Sequence, residues 1–326
     1  MTSSMANFID RSTIKDTVTM IIDRLAFPTE ILYYSGHREN TIVKIGWGLS
    51  LIINEDVLAR RVGDLKAHGF LVSNGGTTLE IAYSKGQLDN ILNRLKKDGF
   101  DTIELSEGII EMPEITKKRI SEFAHENNMR LHVEVGKKNP RNQLSLEETI
   151  YKLERSLDLD PDTLIIEGRE TGKGVEIFDN NGEIKWDWVD RIISSIDREK
   201  LMFEAPLEFQ QAQLILRLGP DINLGNISMG SFYALETQRL GLRGDTFGAF
   251  PAQKKLKISP SARFVMHVLS TYGPMEQGSI MNVTGLNRRT VQNSLEQLIE
   301  SETVSTSHDF KDMRKKVYSI STEGMQ

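Results

Sequence analysis

Short apolar runs alternate with amphipathic stretches along the first 250 residues. The runs are Val18–Ile22, Thr41–Ile45, Phe70–Ser73, Thr102–Leu105, Leu131–Val135, Thr163–Ile166, Leu201–Phe203 and Asp221–Leu224. Between them apolar residues recur with helical spacing over Glu55–His68, Gln87–Asp98, Glu114–Asn127, Leu146–Leu157, Trp186–Ile196, Phe209–Leu218 and Met229–Leu240. Asn54 stands as a cap before the first of these helices, and Ser145 with Glu148 three residues on forms a capping-box pattern. Strand–helix alternation predicts parallel strands covered by helices. Eight strands in about 205 residues fit a closed α/β barrel of the TIM (β/α)8 type. The rival, an open doubly wound sheet, is disfavoured because no GxGxxG follows the first strand.

The pattern breaks at Phe247–Lys257, a short stretch containing Pro251 that reads as a linker. Beyond it, helices are predicted over Ser259–Tyr272, Glu276–Val283 and Arg288–Glu302, with Thr284-Gly285-Leu286 as a tight turn. Val304–Thr306 and Lys316–Ile320 are expected to pair as strands around the charged tip Asp309–Lys315. Helix, helix–turn–helix, hairpin is the order of a small winged-helix domain. The expected organisation is therefore a barrel over 1–250, a linker over 251–257 and a winged helix over 258–326.

Composition narrows the class. The chain has 326 residues, 39% hydrophobic and 26% charged, with 9 prolines and a formal charge of −6, which describes a globular protein. It has no cysteine, so disulfides, thiolate metal sites and cysteine nucleophiles are excluded together. No apolar run approaches the roughly 18 residues that span a bilayer. The N-terminus lacks a basic segment followed by an apolar one, so a cytoplasmic protein without membrane contact is expected. Residues 255–326 hold nine Lys/Arg against seven Asp/Glu, which leaves the acidic excess on the barrel. Nucleic-acid contact, if any, is expected through the C-terminal module.

In a barrel of this kind the side chains at the C-terminal strand ends form the active site. Those ends are polar throughout: Asp23, Lys44, Asn74-Gly75-Gly76-Thr77 with Glu80 behind, Glu104, Glu134 with Lys137, Glu167 with Arg169, Glu204, and Asn223 with Asn226. Counting in twos places Ile42/Lys44, Thr102/Glu104, His132/Glu134, Ile165/Glu167 and Met202/Glu204 on shared strand faces, with the charged member always later. Such a rim is costly unless its charges are paired or bind something. Carboxylates with few histidines and no thiols favour a hard cation such as Mg2+ over zinc. Lysine and arginine beside them favour an anionic substrate. The tryptophans Trp47, Trp186 and Trp188 read as packing residues, and His37, His68 and His125 lack metal-ligand spacing.

The strings VKIGWG (43–48), NGGTTLEIAY (74–83), GFDTIELSEG (99–108), EVGKK (134–138), IIEGRETG (165–172), FEAP (203–206), NLGNI (223–227) and LETQRLGLRGDT (235–246) resemble the phosphosulfolactate synthase family in order and spacing. The resemblance implies a barrel lyase that adds sulfite to phosphoenolpyruvate with Mg2+, the first step of one coenzyme M route. Two positions depart from it: Asp23-Arg24-Leu25 stands where Asp-Lys-Gly is common, and Ser106-Glu107-Gly108 where Ser-Asp-Gly is usual. The family is also similar to plant heat-stress-associated proteins. On this reading Lys137 is the general acid, with Lys44 and Glu134 beside it. The expected metal ligands are Asp23, Glu104, Glu167 and Glu204. Substrate contacts are expected from Arg169, Arg243, the Gly225-Asn226 turn and Gly75-Gly76. The expected partners are phosphoenolpyruvate and sulfite or related small anions, and further copies of the chain. Two other readings of the same ring are a metabolite-sensing transcriptional regulator and a non-catalytic heat-stress protein.

In the C-terminal module, Val291, Leu295, Leu298 and Ile299 are spaced to form one buried stripe. Arg288, Arg289, Gln292 and Asn293 are left outward, where a recognition-type helix meets base edges, and Lys311, Arg314, Lys315 and Lys316 stand in the wing. Duplex DNA is the candidate partner of this module, with a protein contact as the alternative.

Overall fold

The computed structural model describes residues 14, 16–32, 40–139, 141–249, 259–300, 303–309 and 312–320. The chain divides into two compact units, Met1–Phe250 and Pro251–Gln326. The expected linker 251–257 and wing residue Lys311 lie outside the described residues, as do His37 and the side chains of Arg314 and Lys315.

The first unit is a closed barrel of eight parallel strands in sequence order. They are β1 (Thr19–Asp23), β2 (Thr41–Ile45), β3 (Leu71–Asn74), β4 (Thr102–Ser106), β5 (Arg130–Val135), β6 (Thr163–Ile166), β7 (Leu201–Glu204) and β8 (Asn223–Ser228). Eight helices accompany them: α1 (Glu55–Ala67), α2 (Gly76–Ser84), α3 (Leu88–Lys97), α4 (Glu114–Glu126), α5 (Leu146–Ser156), α6 (Trp186–Ser195), α7 (Glu208–Leu218) and α8 (Phe232–Arg239). Both predicted caps form. The Asn54 side chain accepts from the Asp56 N–H at 3.0 Å, and Ser145 and Glu148 bond each other's backbone at 3.2 and 2.7 Å.

Strand alternation sorts the core into two layers. Ile21, Val43, Ile103, Val133, Leu164, Phe203 and Leu224 face the helices and form the larger apolar cluster with them. Met20, Ile42, Ile165 and Met202 point inward and fill the barrel axis. The next inward positions along several strands are the charged ones, so an apolar floor lies directly beneath a charged rim.

Two elements differ from the sequence expectation. Helix α2 starts directly behind Gly75, between the expected helices Glu55–His68 and Gln87–Asp98, where no helix was expected. Strand β8 begins two residues later than expected and runs through Asn223, Gly225 and Asn226, whose polarity hid it.

The second unit holds α9 (Pro260–Tyr272), β9 (Met275–Glu276), α10 (Gln277–Thr284), α11 (Arg288–Glu300), β10 (Val304–Asp309) and β11 (Asp312–Ile320), with the strands in the order β10-β11-β9. Its core is Ala262, Val265, Leu269, Ile280, Val291, Leu295, Leu298 and Val304. Ile299 is not part of the stripe; it is 40% exposed, and Ser294 is buried instead with its hydroxyl 3.1 Å from that of Ser261. A turn of 3.6 residues carries position 294, rather than 299, onto the inner face.

Candidate active site

The C-terminal rim of the barrel gathers four carboxyls and two lysines, nearly all buried. Lys44 on β2 reaches Glu204 at 2.8 Å, Glu104 at 3.0 Å and Glu134 at 3.7 Å. Lys138 reaches Glu134 at 2.6 Å and Glu167 at 3.1 Å. Gly108 makes room for this lysine, since a Cβ there would sit 2.8 Å from Lys138 Cγ. The Gly76 N–H donates to Glu104 at 2.8 Å and the Gly168 N–H to Glu204 at 3.1 Å, so helix and loop starts fix the carboxylates from behind.

These contacts set the charges. Burial opposes the Lys44 ammonium, but Glu104, Glu204 and Glu134 outweigh it and hold its pKa above the ordinary value. Burial likewise opposes Lys138, and Glu134 and Glu167 hold it well up. Burial pushes Glu104 up to about 7 against the pull of Lys44. Glu134 is also buried, yet Lys138 and Lys44 hold it down to about 2. Burial and the adjacent Glu134 charge push the Glu167 carboxyl well above the carboxylate range. Beneath the rim, burial, Arg130 and Lys44 lower His132 to about 3, which leaves a neutral imidazole with both ring nitrogens unpartnered.

One oxygen from each of Glu134, Glu167 and Glu204 lies within 4.8 Å of the others, a spacing that suits a single cation. Glu167 Oε2 is buried, with the Lys138 ammonium 3.1 Å away. With two ammoniums against four carboxyls, an all-oxygen donor set of this charge fits a hard divalent ion.

The other expected residues separate into those at the rim and those elsewhere. Arg169, Asn226, Gly75 and Gly76 line the cavity over the ring. Asn226 donates from its side chain to the Arg169 carbonyl at 2.8 Å and to Glu204 at 3.3 Å. Arg169 and Asn226 both have positive φ, 55° and 56°, so their backbones are strained beside the site.

Four expectations are corrected. Asp23 faces the helix side and pairs with Arg61 of α1 at 2.5 Å, because its strand position shares the parity of Ile21 rather than Met20. Lys137 turns away from the ring and meets Glu111 at 2.9 Å and the Glu107 carbonyl at 3.1 Å. Arg243 pairs with Glu208 at 2.6 Å and Asp245 at 3.0 Å, a helix-end ion pair away from the cavity. Gly225 lies inside β8 among Met202 and Met20, and its carbonyl accepts from the Ala205 N–H, so it does not open the last strand–helix turn. Lys138 is the residue the sequence reading missed. Counting in twos from Glu134 lands on it, and that signal was available.

Arg288, Arg289, Gln292 and Asn293 are all exposed on α11, opposite the buried Val291, Leu295 and Leu298.

Among the described residues no helix is long and apolar enough to cross a membrane. The chain resembles solved regulators only distantly: BpsR of Bordetella bronchiseptica aligns over 22% of this chain and 52% of that one at 22% identity and a TM-score of 0.21, which supports no conclusion. Sequence relatives are far closer. Phosphosulfolactate synthase of Methanocaldococcus jannaschii is 41% identical over 208 residues, 63% of this chain and 83% of that protein. The enzyme of the same name from Methanothermobacter thermautotrophicus is 31% identical over 239 residues, 72% of this chain and 92% of that protein. Protein HEAT-STRESS-ASSOCIATED 32 of Arabidopsis thaliana is 25% identical over 56% of this chain and 70% of its own length. The family model for (2R)-phospho-3-sulfolactate synthase (ComA) matches residues 11–245, the whole barrel and its charged rim, and the chain belongs to the phosphosulfolactate synthase family.

Proposed function

We propose that the barrel adds sulfite to phosphoenolpyruvate to give phosphosulfolactate. The observation that supports this most is the ring of Glu104, Glu134, Glu167 and Glu204 knit together by Lys44 and Lys138 at the C-terminal rim of a barrel of this family. The sulfur lone pair of sulfite attacks the methylene carbon, the double-bond electrons move toward the carboxylate, and a proton is then delivered to C2. Glu134, Glu167 and Glu204 would hold the cation. A Mg2+ ion held there would supply Lewis-acid stabilisation of negative charge on the substrate. Lys138 stands at the rim beside Glu134 and Glu167, so it takes the proton-donor role that the sequence reading gave to Lys137. Lys44 offsets the mutual repulsion of Glu104, Glu134 and Glu204 and fixes their geometry.

The test is incubation of the chain with phosphoenolpyruvate and sulfite, with product followed by mass spectrometry before and after chelation by EDTA. The expected result is phosphosulfolactate that disappears with EDTA and returns with Mg2+ or Mn2+. Ligand binding without product would move the reading to a sensor, and full activity in a metal-free sample would remove the metal from it.

For the second unit we infer a duplex-DNA contact through α11, a winged-helix role supported by the four exposed polar residues at the start of that helix. Salt-dependent binding to duplex DNA that is lost in Arg288→Ala with Arg289→Ala is expected; binding unaffected by that pair, or none at low salt, favours a protein contact.

A further inference from the structure

The mouth of the barrel is bridged. The Trp47 indole N–H donates to Glu170 at 2.6 Å. Trp47 follows β2 and Glu170 follows β6, staves separated by three strands in either direction around the closed barrel. The bond therefore crosses the opening over the carboxylate ring, and both Trp47 and Glu170 line the cavity beneath it. Nothing in packing requires it: Trp47 is 45% exposed, so its ring is not serving the core. Its backbone is nonetheless fixed in a strained conformation, at φ 53°, with its carbonyl accepting from the Thr78 hydroxyl at 3.1 Å.

Two cations attend the bridge. The Arg24 guanidinium lies over the Trp47 ring, 5.0 Å from its centre, and its Nε is buried with no hydrogen-bond partner. Arg169 lines the same cavity. Burial works against the Glu170 charge, yet the Trp47 bond, its own backbone N–H and the charges of Arg24 and Arg169 together hold its pKa below the ordinary value. An indole donor, a guanidinium with a spare buried N–H and a second arginine thus converge on one carboxylate. Those are the groups that would receive a phosphate.

We propose that Trp47, Arg24 and Arg169 form an anion subsite at the barrel mouth, which the Glu170 carboxylate occupies as an internal stand-in until the phosphate of a phosphomonoester substrate replaces it. The assignment of a phosphate rests on the lyase reading above. Exchange breaks the Trp47–Glu170 bridge, so the group that binds is also the group that opens the entrance. It also gives Arg24 a task at the position where the sequence departs from the Asp-Lys-Gly pattern.

The test titrates phosphoenolpyruvate and, separately, inorganic phosphate into the full chain by calorimetry, and follows emission in a Trp186→Phe, Trp188→Phe protein in which Trp47 is the remaining one of the 3 tryptophans. Glu170→Gln, which removes the competing charge, is expected to tighten both anions about tenfold, the scale of one ionic hydrogen bond. Arg24→Ala is expected to weaken both, and Trp47 emission is expected to shift as either binds. Unchanged or weaker binding by Glu170→Gln, a silent Trp47 during calorimetric binding, or no binding of either anion would each overturn the subsite. Calorimetry of Glu170→Gln alone decides the matter if the tryptophan variant does not fold. Phosphate binding that follows the expected pattern without any product from phosphoenolpyruvate and sulfite would keep the subsite and sink the lyase reading; product with Glu170→Gln affinity unchanged would do the reverse.

Discussion

Lys137 and Lys138 are neighbours in the chain whose ammonium groups meet different surroundings, Glu111 for the first and the Glu134–Glu167 pair for the second. A proton donor at the rim contributes roughly 10²–10⁴ in rate, so Lys138→Ala is expected to lower turnover by that order. Lys137→Ala should stay within about tenfold of the parent, since its contacts lie outside the ring; equal losses in the two variants would contradict the assignment. Strand parity made most of the ring legible, because Lys44, Glu104, Glu134 and Glu204 all follow an inward apolar or neutral residue by two. The same count sends Asp23 outward and Lys138 inward, whereas proximity to a strand end alone does not separate them. Glu176 was not legible at all, as nothing in the sequence marks it as buried. Burial pushes its carboxyl up to about 7 despite the Thr149 hydroxyl donating to it at 2.8 Å. The folded state therefore keeps a proton that the unfolded chain releases above about pH 4.5, and stability falls as pH rises through about 7. The shift corresponds to about 3 kcal/mol. Glu176→Gln is accordingly expected to be more stable than the parent by up to that amount at pH 8 in urea denaturation, with the difference closing near pH 4.5. A gap that is constant with pH would refute this.

Helix α2 shows how an element invisible to periodicity can still be fixed by sequence. Its buried face is Gly76, Thr78, Leu79, Glu80 and Ala82, a mixture without a clear apolar stripe. What places it is close approach: a Cβ at Gly76 would lie 2.6 Å from Ser106 Cβ and 3.2 Å from Glu104 Oε1. Glu80, one turn on, accepts from the Ser106 hydroxyl at 2.5 Å and the Gly108 N–H at 2.7 Å, which ties the helix to the loop after β4. Gly76→Ala should therefore cost about 1–3 kcal/mol through overpacking and disturb the Glu104 carboxylate as well. Gly63 is the contrasting case, exposed in the middle of α1 with nothing within 4 Å of a Cβ. Gly63→Ala is expected to stabilise by about 0.5–1 kcal/mol. Matched thermal or urea melts of the two variants check both signs. The longer, apolar-striped elements such as α1, α5 and α6 were readable because one face meets the barrel wall and little else competes. Strand β8 was read only at its start, because Gly225 and Asn226 stand in it where a core strand carries methyl groups.

At the scale of the molecule the family match ends at residue 245 and the first compact unit at Phe250, so the homologous segment and the barrel unit nearly coincide. Every group of the ring, together with Trp47, Arg24, Arg169 and Glu170, lies inside that unit. The second unit has its own apolar core of Ala262, Val265, Leu269, Ile280, Val291, Leu295, Leu298 and Val304, as an independently folding module requires. Its first two helices carry clear end signals: Ser259 accepts from the Ala262 N–H at 3.2 Å with Pro260 at the first helical position, and Gly285 closes α10 in the left-handed conformation. The short strand β9 was not, since two residues carry no periodicity and only pairing with Val317 and Tyr318 of β11 defines it. A chain ending at residue 250 is expected to keep turnover within about twofold of the full protein, because every residue lining the cavity over the ring lies within the first unit. It should also lose all duplex-DNA binding. Turnover that collapses in a truncated chain still folded by circular dichroism would mean that the second unit takes part in the barrel's chemistry. Duplex binding retained by the barrel alone would take the DNA contact away from α11.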